Sequence, residues 1–152
     1  MRKKVYQSMM AVFLAAGVLS LTACGGSANY KDGTYEGKSD VFEYDNEDGS
    51  DDGNGYGVVN ITVKDNKITE CTFETYETDG TKKGEDYGKK SGSVANKDFY
   101  NKAQKAVAAC DEYANMLVAN GSLDGIDAIS GATKNYEQFT DAVEKALKKA
   151  AE

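Results

Sequence analysis

The sequence predicts an α+β fold in which two amphipathic helices pack on an antiparallel sheet. The first half of the chain contains two strand-like runs, residues 59–63 and 68–76, joined by a short turn sequence. The second half contains two stretches whose apolar residues recur every three or four positions, the period of a helix with one buried side. Because the strands come first and the connections are short, we expect a single domain with one sheet layer and one helix layer.

The strand prediction rests on residue periodicity. A short first strand is expected at Thr34–Lys38. Residues 59–63 alternate apolar with polar side chains, and residues 68–76 are rich in β-branched and aromatic residues. Between these runs, Asp65 and Asn66 tolerate the positive φ angles of a tight hairpin. The residues that follow, as far as the first helix, are polar and Gly-rich and predict a long loop.

Two helices are expected in the second half. Asn96 is a good N-cap for the first, because its side chain can accept from a free helix N–H, and Gly121 ends that helix. The second helix follows residues 127–133 and has Lys148 and Lys149 at its C-terminal end, where the helix dipole favours positive charge. The apolar faces consist of Phe99, Ala103, Ala106, Val107, Cys110, Ala114 and Leu117 in the first helix and Tyr136, Phe139, Val143, Ala146 and Leu147 in the second.

The N-terminal sequence predicts export and lipid attachment. The cationic residues 2–4 precede an uncharged apolar run, Met9–Leu21, which is too short to cross a bilayer comfortably and is typical of a secretory signal. Leu-Thr-Ala-Cys at 21–24 has the form of a lipobox, in which the Cys24 sulfur receives a diacylglycerol and the cysteine becomes the new N-terminus. Two acyl chains anchor a protein durably. The alternative is an ordinary signal peptide with a chance cysteine.

These features predict a signal peptide at 1–23, a tether at 24–29 and one domain at 30–152, held by membrane lipid at the extracellular face of the cell membrane. Removal of the signal peptide leaves 129 residues and takes the formal net charge from −7 to −10. An anionic bilayer repels an acidic domain, so the lipid rather than charge must hold it there. The same acidity argues against nucleic acid as a partner.

The composition excludes several function classes, because the sequence contains no histidine. Without histidine there is no Ser-His or Cys-His nucleophile pair and no His-ligated zinc, which removes most hydrolase classes. Redox or group-transfer chemistry must therefore come from carboxylates, hydroxyls, thiols or a bound cofactor.

Residues Asp40–Gly55, here called the acidic segment, carry seven carboxylates among Gly, Ser and Asn. The EF-hand order of a calcium loop is not met, because no glycine stands at the required position and no glutamate closes the loop. We expect a solvated, mobile loop without a metal site.

Two cysteines remain besides Cys24. Cys71 lies in a strand pattern, and Cys110 lies on the apolar face of the first helix. We expect both to be small buried residues with free thiols. A disulfide formed outside the cell is the alternative.

Residues 127–133, Asp-Ala-Ile-Ser-Gly-Ala-Thr, stand immediately before the second helix and are the most informative segment. Ser130 and Thr133 offer hydroxyls, and Gly131 allows close approach to the backbone. The free N–H groups of the coming helix favour an anion such as phosphate. Taken alone, the residues also fit a simple N-cap, in which a Ser or Thr side chain satisfies those N–H groups.

This segment resembles the flavinylation signal of the FMN-binding domain family. The similarity extends to residues 30–35 and 55–57 and to residues 61–68, which resemble the opening strands of that family, and so covers nearly the whole mature chain. The family includes flavin-carrying subunits of bacterial ion-pumping oxidoreductases and extracellular electron-transfer lipoproteins of Gram-positive bacteria. The chain is most similar to the lipoprotein branch.

The resemblance implies that a flavin transferase joins the phosphate of FMN to the hydroxyl of Thr133 as a phosphodiester. The flavin phosphate then lies at the start of the last helix. Asp127, Ser130, Gly131 and Ala132 match the rest of the signal.

The implied function is that of a membrane-anchored extracellular flavoprotein, a redox carrier rather than a stand-alone enzyme. It receives electrons from a membrane donor and passes them to an extracellular acceptor or reductase. Tyr56, Tyr87 and Tyr136 are candidates to stack on the flavin ring, although each also fits an ordinary core or surface aromatic. Many family members carry Pro-Gly where residues 77–80 have no proline, which leaves open which residues of 78–88 touch the ring.

The alternative function is that of a tethered lipoprotein binding module without covalent flavin, which holds a small anion or a protein partner. A third use, known of lipoproteins that this chain resembles, is release of part of the signal peptide, within Leu14–Ala23, as a peptide signal.

Overall fold

The fold is given by a computed structural model, which describes residues 3–6, 28–47 and 52–152. Most of the predicted signal peptide and the predicted lipidation residue Cys24 lie outside the described residues. The elements are β1 (Lys3–Tyr6), β2 (Gly33–Lys38), β3 (Val41–Tyr44), β4 (Tyr56–Lys64), β5 (Lys67–Tyr76), α1 (Lys97–Asn120) and α2 (Thr133–Ala151).

The predicted α+β fold with an antiparallel sheet is confirmed. Three strands form an antiparallel sheet in the order β2-β4-β5, and β1 pairs with β3 in a separate two-stranded sheet. The β4–β5 hairpin turns at Asp65 and Asn66, whose φ angles of 51° and 61° are the two positive angles of a type I′ turn. Burial alternates along β4, so that Val59, Ile61 and Val63 face the core.

Both helices are where the sequence predicts them. The Asn96 side chain accepts from the N–H of Phe99 at 3.0 Å and so caps the start of α1. Gly121 adopts the left-handed conformation with a φ of 72°, and its N–H donates to the Leu117 carbonyl at 2.8 Å. This cap satisfies a terminal carbonyl and ends α1.

The core lies between the three-stranded sheet and the helices, with α1 packed on β5 and α2 packed on β2 and β4. Helix α2 lies close against the sheet at Gly37, where an added Cβ would lie 1.9 Å from the carbonyl oxygen of Ala142. No larger residue fits there unless the helix moves. The largest fully buried apolar side chains are Tyr113, Phe139, Ile61, Leu117, Val59, Val63 and Val143.

The acidic segment differs from the solvated loop that the sequence predicted. Strand β3 forms inside it, and Phe42 exchanges two main-chain hydrogen bonds with Gly55, of 2.7 and 2.9 Å. The Tyr44 side chain is buried. The loop prediction was wrong here because the short run Val-Phe-Glu-Tyr does not stand out among seven carboxylates.

Strand β1 lies inside the predicted signal peptide. It pairs antiparallel with β3, from Lys3 opposite Tyr44 to Tyr6 opposite Val41. Cleavage after residue 23 would remove β1 and leave β3 with its bridge to Gly55. Within the described ranges, no helix combines the length and apolarity needed to cross a membrane.

Cys71 and Cys110 are both free, as the sequence predicts. Cys71 is half-buried in β5, and Cys110 is buried in α1. Burial raises the pKa of the Cys71 thiol to about 12 and also raises the pKa of the Cys110 thiol. Both thiols therefore stay protonated at neutral pH and are poor nucleophiles.

Candidate functional site

A cavity of about 510 Å³ lies at the start of α2, against α1 and the end of the acidic segment. Its α1 wall is apolar at Ala103 and Ala106, and residues 131–135 form its α2 wall. Asp52 and Gly53 line it from the acidic segment. The cavity thus joins three parts of the chain that are distant in sequence, and one of them is the end of the predicted flavinylation signal at residues 131–133.

Thr133 is the first residue of α2, and its exposed side chain lines the cavity. The N-cap position belongs to Ala132, with a φ of −132°, and no side chain caps the helix there. The simple N-cap role, which the sequence left open, is therefore taken by neither Ser130 nor Thr133. The first N–H groups of a helix have no partner within it, so those of α2 are available to an anion in the cavity.

A tight turn leads into α2 from Ile129 to Ala132. The Ala132 N–H donates to the Ile129 carbonyl at 2.9 Å, and Gly131 has a φ of 84°. A positive φ at the third position of a turn is the mark of a type II turn and favours glycine. Tyr113 of α1 contacts this turn, because its hydroxyl accepts from the Ile129 N–H at 2.8 Å and donates to the Ala132 carbonyl at 3.1 Å.

The structure brings only part of the predicted signal to the cavity. Gly131, Ala132 and Thr133 line it, whereas Asp127 and Ser130 do not and are exposed to solvent. The predicted site residues thus separate into an inner group at the cavity and an outer pair that another protein can contact.

Two lysines and two carboxylates set the charge of the cavity. The Asp52 carboxylate lies 2.8 Å from the Lys102 ammonium and 3.7 Å from the Lys134 ammonium. Lys134 Nζ also donates to the Asp52 carbonyl at 2.6 Å. Glu137 lines the cavity as well. With two cations against two carboxylates, these charged residues carry no net charge, so the cavity attracts a free anion only weakly.

Tyr87 is the one of the three tyrosines predicted as ring contacts that lines the cavity. Its hydroxyl accepts from the Gly53 N–H at 3.2 Å. The buried ammonium of Lys83 lies 4.9 Å from the centre of its ring and donates to the Asn54 carbonyl at 2.6 Å. Burial lowers the pKa of Lys83 to about 8. Lys83 thus ties the Tyr87 loop to the end of the acidic segment.

The other two predicted ring contacts lie elsewhere, and the prediction that they touch a flavin remains untested. Tyr56 stacks on Tyr76 with ring centres 5.3 Å apart. Tyr136 donates from its hydroxyl to the Ile126 carbonyl at 2.9 Å. Neither lines the cavity.

Tyr44, which is not among the tyrosines predicted from the sequence, lines the cavity instead. The Tyr44 hydroxyl donates to a carboxylate oxygen of Glu137 at 3.0 Å, and burial together with that carboxylate raises the pKa of the phenol far above its usual range. Tyr44 therefore remains a neutral aromatic wall at physiological pH. No local signal indicated it, because the short run Val41–Tyr44 does not stand out among the carboxylates of the acidic segment.

Chemically, the cavity offers the hydroxyl of Thr133, the uncapped N–H groups of α2, two aromatic side chains and the apolar α1 wall. This set suits a planar aromatic ligand that carries a phosphoryl group. Among residues 28–47 and 52–152, no group of three or more acidic or sulfur-bearing side chains is placed to hold a metal ion.

Comparison with known proteins points the same way. The chain is similar to the CPE2226 protein from Clostridium perfringens, known from its crystal structure, with 26% sequence identity and a TM-score of 0.54. The match covers 80% of this chain and 88% of that chain. No curated protein matches the sequence. A family model described as an FMN-binding domain matches residues 53–148, from the acidic segment through nearly all of α2. The chain therefore belongs to the FMN-binding domain family.

Proposed function

We propose that this protein carries FMN bound covalently to Thr133 and acts as an extracellular electron carrier, anchored to the membrane by a lipid on Cys24. The observation that carries the proposal is the position of the Thr133 side chain. It is exposed at the cavity, at the uncapped start of α2, and it has no capping role that would explain a hydroxyl there.

The cavity fits the cofactor that the family implies. Its volume of about 510 Å³ is within the usual range for small-molecule sites. Tyr44, Tyr87 and the alanines of α1 offer aromatic and apolar surface to an isoalloxazine ring. The N–H groups at the start of α2 favour the negative charge of a phosphodiester on Thr133.

Covalent attachment compensates for the weak attraction of the cavity for a free anion. Because Lys102 and Lys134 are balanced by Asp52 and Glu137, FMN held by its phosphate alone would dissociate and be lost outside the cell. A covalent bond at Thr133 removes that loss. Bound FMN would supply acceptance of two electrons and their release one at a time, while the protein positions the cofactor and tunes its potential.

The attachment reaction needs FAD and a flavin transferase. The Thr133 hydroxyl oxygen forms a bond to the phosphorus of the FMN half, and the bond from that phosphorus to the pyrophosphate bridging oxygen breaks. AMP leaves with that oxygen, and the hydroxyl proton passes to a base on the transferase or to water. No electron is gained or lost in this step. The exposed Asp127 and Ser130 are free to be contacted by the transferase.

Intact-mass measurement tests the flavin proposal. Protein made with a flavin transferase should gain one FMN-phosphoryl group, and protein made without it should not. Thr133→Ala should gain none, because no oxygen remains at that position, and Thr133→Ser keeps the oxygen and should retain partial modification. Since Thr133 is exposed and does not cap α2, Thr133→Ala should change the free energy of unfolding by no more than about 0.5 kcal/mol.

Asp127→Ala should reduce the modified fraction, and Asp124→Ala, an exposed aspartate outside the signal, is its matched control. If Thr133→Ala carries the same adduct as wild type, the attachment site is elsewhere. If wild type never gains flavin with any transferase, the electron-carrier function fails, and a tethered binding module accounts better for the protein.

A further inference from the structure

We infer that Tyr113, in the interior of α1, is a positioning residue for flavin attachment and acts by holding the turn that presents Thr133. This inference rests on the proposed attachment of flavin at Thr133. It concerns a residue outside the signal segment and outside the lining of the cavity.

The Tyr113 hydroxyl joins both ends of the turn. It accepts from the Ile129 N–H at 2.8 Å and donates to the Ala132 carbonyl at 3.1 Å. The turn closes on itself through the hydrogen bond from the Ala132 N–H to the Ile129 carbonyl, at 2.9 Å. One hydroxyl thus uses both its donor and its acceptor capacity on the two residues that define the turn.

The same carbonyl links the turn to the helix. The Ala132 carbonyl also accepts from the Tyr136 N–H at 3.0 Å, which is the first main-chain hydrogen bond of α2. Thr133 lies directly after this carbonyl, so its backbone is fixed by the Tyr113 contact on one side and by the helix on the other. The direction of the Thr133 side chain follows from that backbone.

The Tyr113 ring cannot move to release the turn. It is fully buried, and its centre lies 5.4 Å from that of Phe139, 5.8 Å from that of Tyr136 and 6.5 Å from that of Phe73. These rings restrict the movement of the Tyr113 side chain inside the core. A buried hydroxyl with two backbone partners is therefore a fixed reference point for an otherwise exposed segment.

Loss of the Tyr113 hydroxyl is expected to reduce the fraction of protein in which Thr133 is positioned for the transferase. Without the hydroxyl, the turn populates other conformations, and only part of the protein offers Thr133 as the enzyme needs it. A fractional population of the competent state raises the apparent dissociation constant in proportion and leaves the bound reaction unchanged. Loss of Tyr113 contacts should therefore raise KM for the acceptor protein and leave kcat unchanged.

The test is steady-state flavinylation of Tyr113→Phe with purified flavin transferase and FAD. The phenyl ring keeps the core packed, so we expect folded protein in which KM rises by up to about tenfold, the largest change that a loss of about 1.4 kcal/mol in hydrogen bonding can produce in the population of the turn. The matched control is Tyr100→Phe, also in α1, which loses the hydrogen bond from its hydroxyl to the Glu85 carbonyl, 3.0 Å long and away from the turn. Its KM should equal that of wild type.

A second control separates an effect on the position of Thr133 from an effect on the overall stability of the protein. Val143→Ala creates a cavity in the buried core of α2 away from the turn, so it should lower the melting temperature while KM stays at the wild-type value. Amide hydrogen exchange on wild type gives an independent measurement. The Ile129 N–H should exchange far more slowly than that of exposed Ser130, and this protection should vanish in Tyr113→Phe.

The outcomes are distinguishable. If wild type gains flavin and Tyr113→Phe has the wild-type KM, or if the Ile129 amide is unprotected in wild type, the inference is overturned and the proposed function stands. If Val143→Ala raises KM as much as Tyr113→Phe, the effect is general instability and the inference is again overturned. If wild type gains no flavin, the proposed function and the inference fail together.

Discussion

The ammonium group of Lys134, in the first turn of α2, donates to the main-chain carbonyl of Asp52 at a distance of 2.6 Å. This contact holds the end of the acidic segment against the helix that begins with Thr133. Gln138, one turn further along α2, adds a second contact by donating to the Gly53 carbonyl at 3.0 Å. Asp52 and Gly53, at the end of the acidic segment, therefore form a wall of the cavity that is held against α2.

The first prediction concerns the two cysteines, whose burial raises their pKa values and keeps the thiols protonated. In a Cys24→Ser variant, an alkylating reagent should label the folded protein slowly at neutral pH. The same protein unfolded without reductant should gain two labels at once, as mass spectrometry can show. Labelling that requires prior reduction would instead reveal a disulfide between Cys71 and Cys110.

Much of the fold follows from local sequence signals. The alternation at residues 59–63, the Asp65-Asn66 turn and the caps Asn96 and Gly121 each act over a few residues, so a reader of the sequence can find them. Strand β3 was missed because its evidence is not local. It is stabilised by a bridge to Gly55 across the acidic segment and by burial of Tyr44 against α2.

The site was predictable to a lesser extent. Residues 127–133 could be identified as a candidate site because they directly precede an amphipathic helix. The structure places the last three of them at the cavity. Lys83 gave no signal, since Lys82-Lys83 looks like a solvated pair in sequence. The sequence gives a weak signal for Tyr113, because a phenol on the buried side of a helix needs a hydrogen-bond partner. Only the tertiary structure identifies that partner.

The second prediction follows from Lys83. Its pKa in the folded protein, about 8, is below the value of about 10.4 in an unfolded chain. Between these two values the unfolded state binds more protons, so stability rises with pH, and the burial penalty is fully present only below pH 8. Relative to Lys83→Met, wild type should gain about 2 kcal/mol of unfolding free energy from pH 7.5 to 9.5.

Urea unfolding at several pH values measures this difference. Comparison with the variant cancels the titration of other groups. Lys82→Met is the matched control, because Lys82 is exposed and pairs with Glu74 at the surface, so it should not alter the pH dependence. An identical pH profile for wild type and Lys83→Met would show that the amine is not held in a desolvated position.

The third prediction concerns the proposed anchor. Cys24→Ser should abolish lipidation, because only a thiol at that position can receive the diacylglycerol, and the protein should leave the membrane fraction. The acidic domain should not rebind by charge. Cys71→Ser is the control and should remain with the membrane. Full membrane fractionation of Cys24→Ser would show that the lipobox interpretation is wrong.

The last prediction concerns Gly131, where the steric effect of an added Cβ can be separated from backbone strain. An added Cβ at Gly131 would meet no atom within 4 Å, so Gly131→Ala creates no clash and acts only through its φ of 84°. An alanine held at such an angle costs about 1–2 kcal/mol. The turn can relieve that strain by changing its conformation, which would displace Thr133 at the start of α2 and slow flavin attachment.

Gly92 provides the matched comparison, because its φ is 75° and an added Cβ there also meets nothing within 4 Å. Gly92→Ala should therefore carry a similar backbone strain at a position that does not line the cavity. Both variants should lose similar unfolding free energy, measured in urea, but only Gly131→Ala should be flavinylated more slowly. Equal flavinylation rates in the two variants would mean that the transferase accepts Thr133 whatever the conformation of the turn, and that the geometry from Ile129 to Ala132 serves the fold alone.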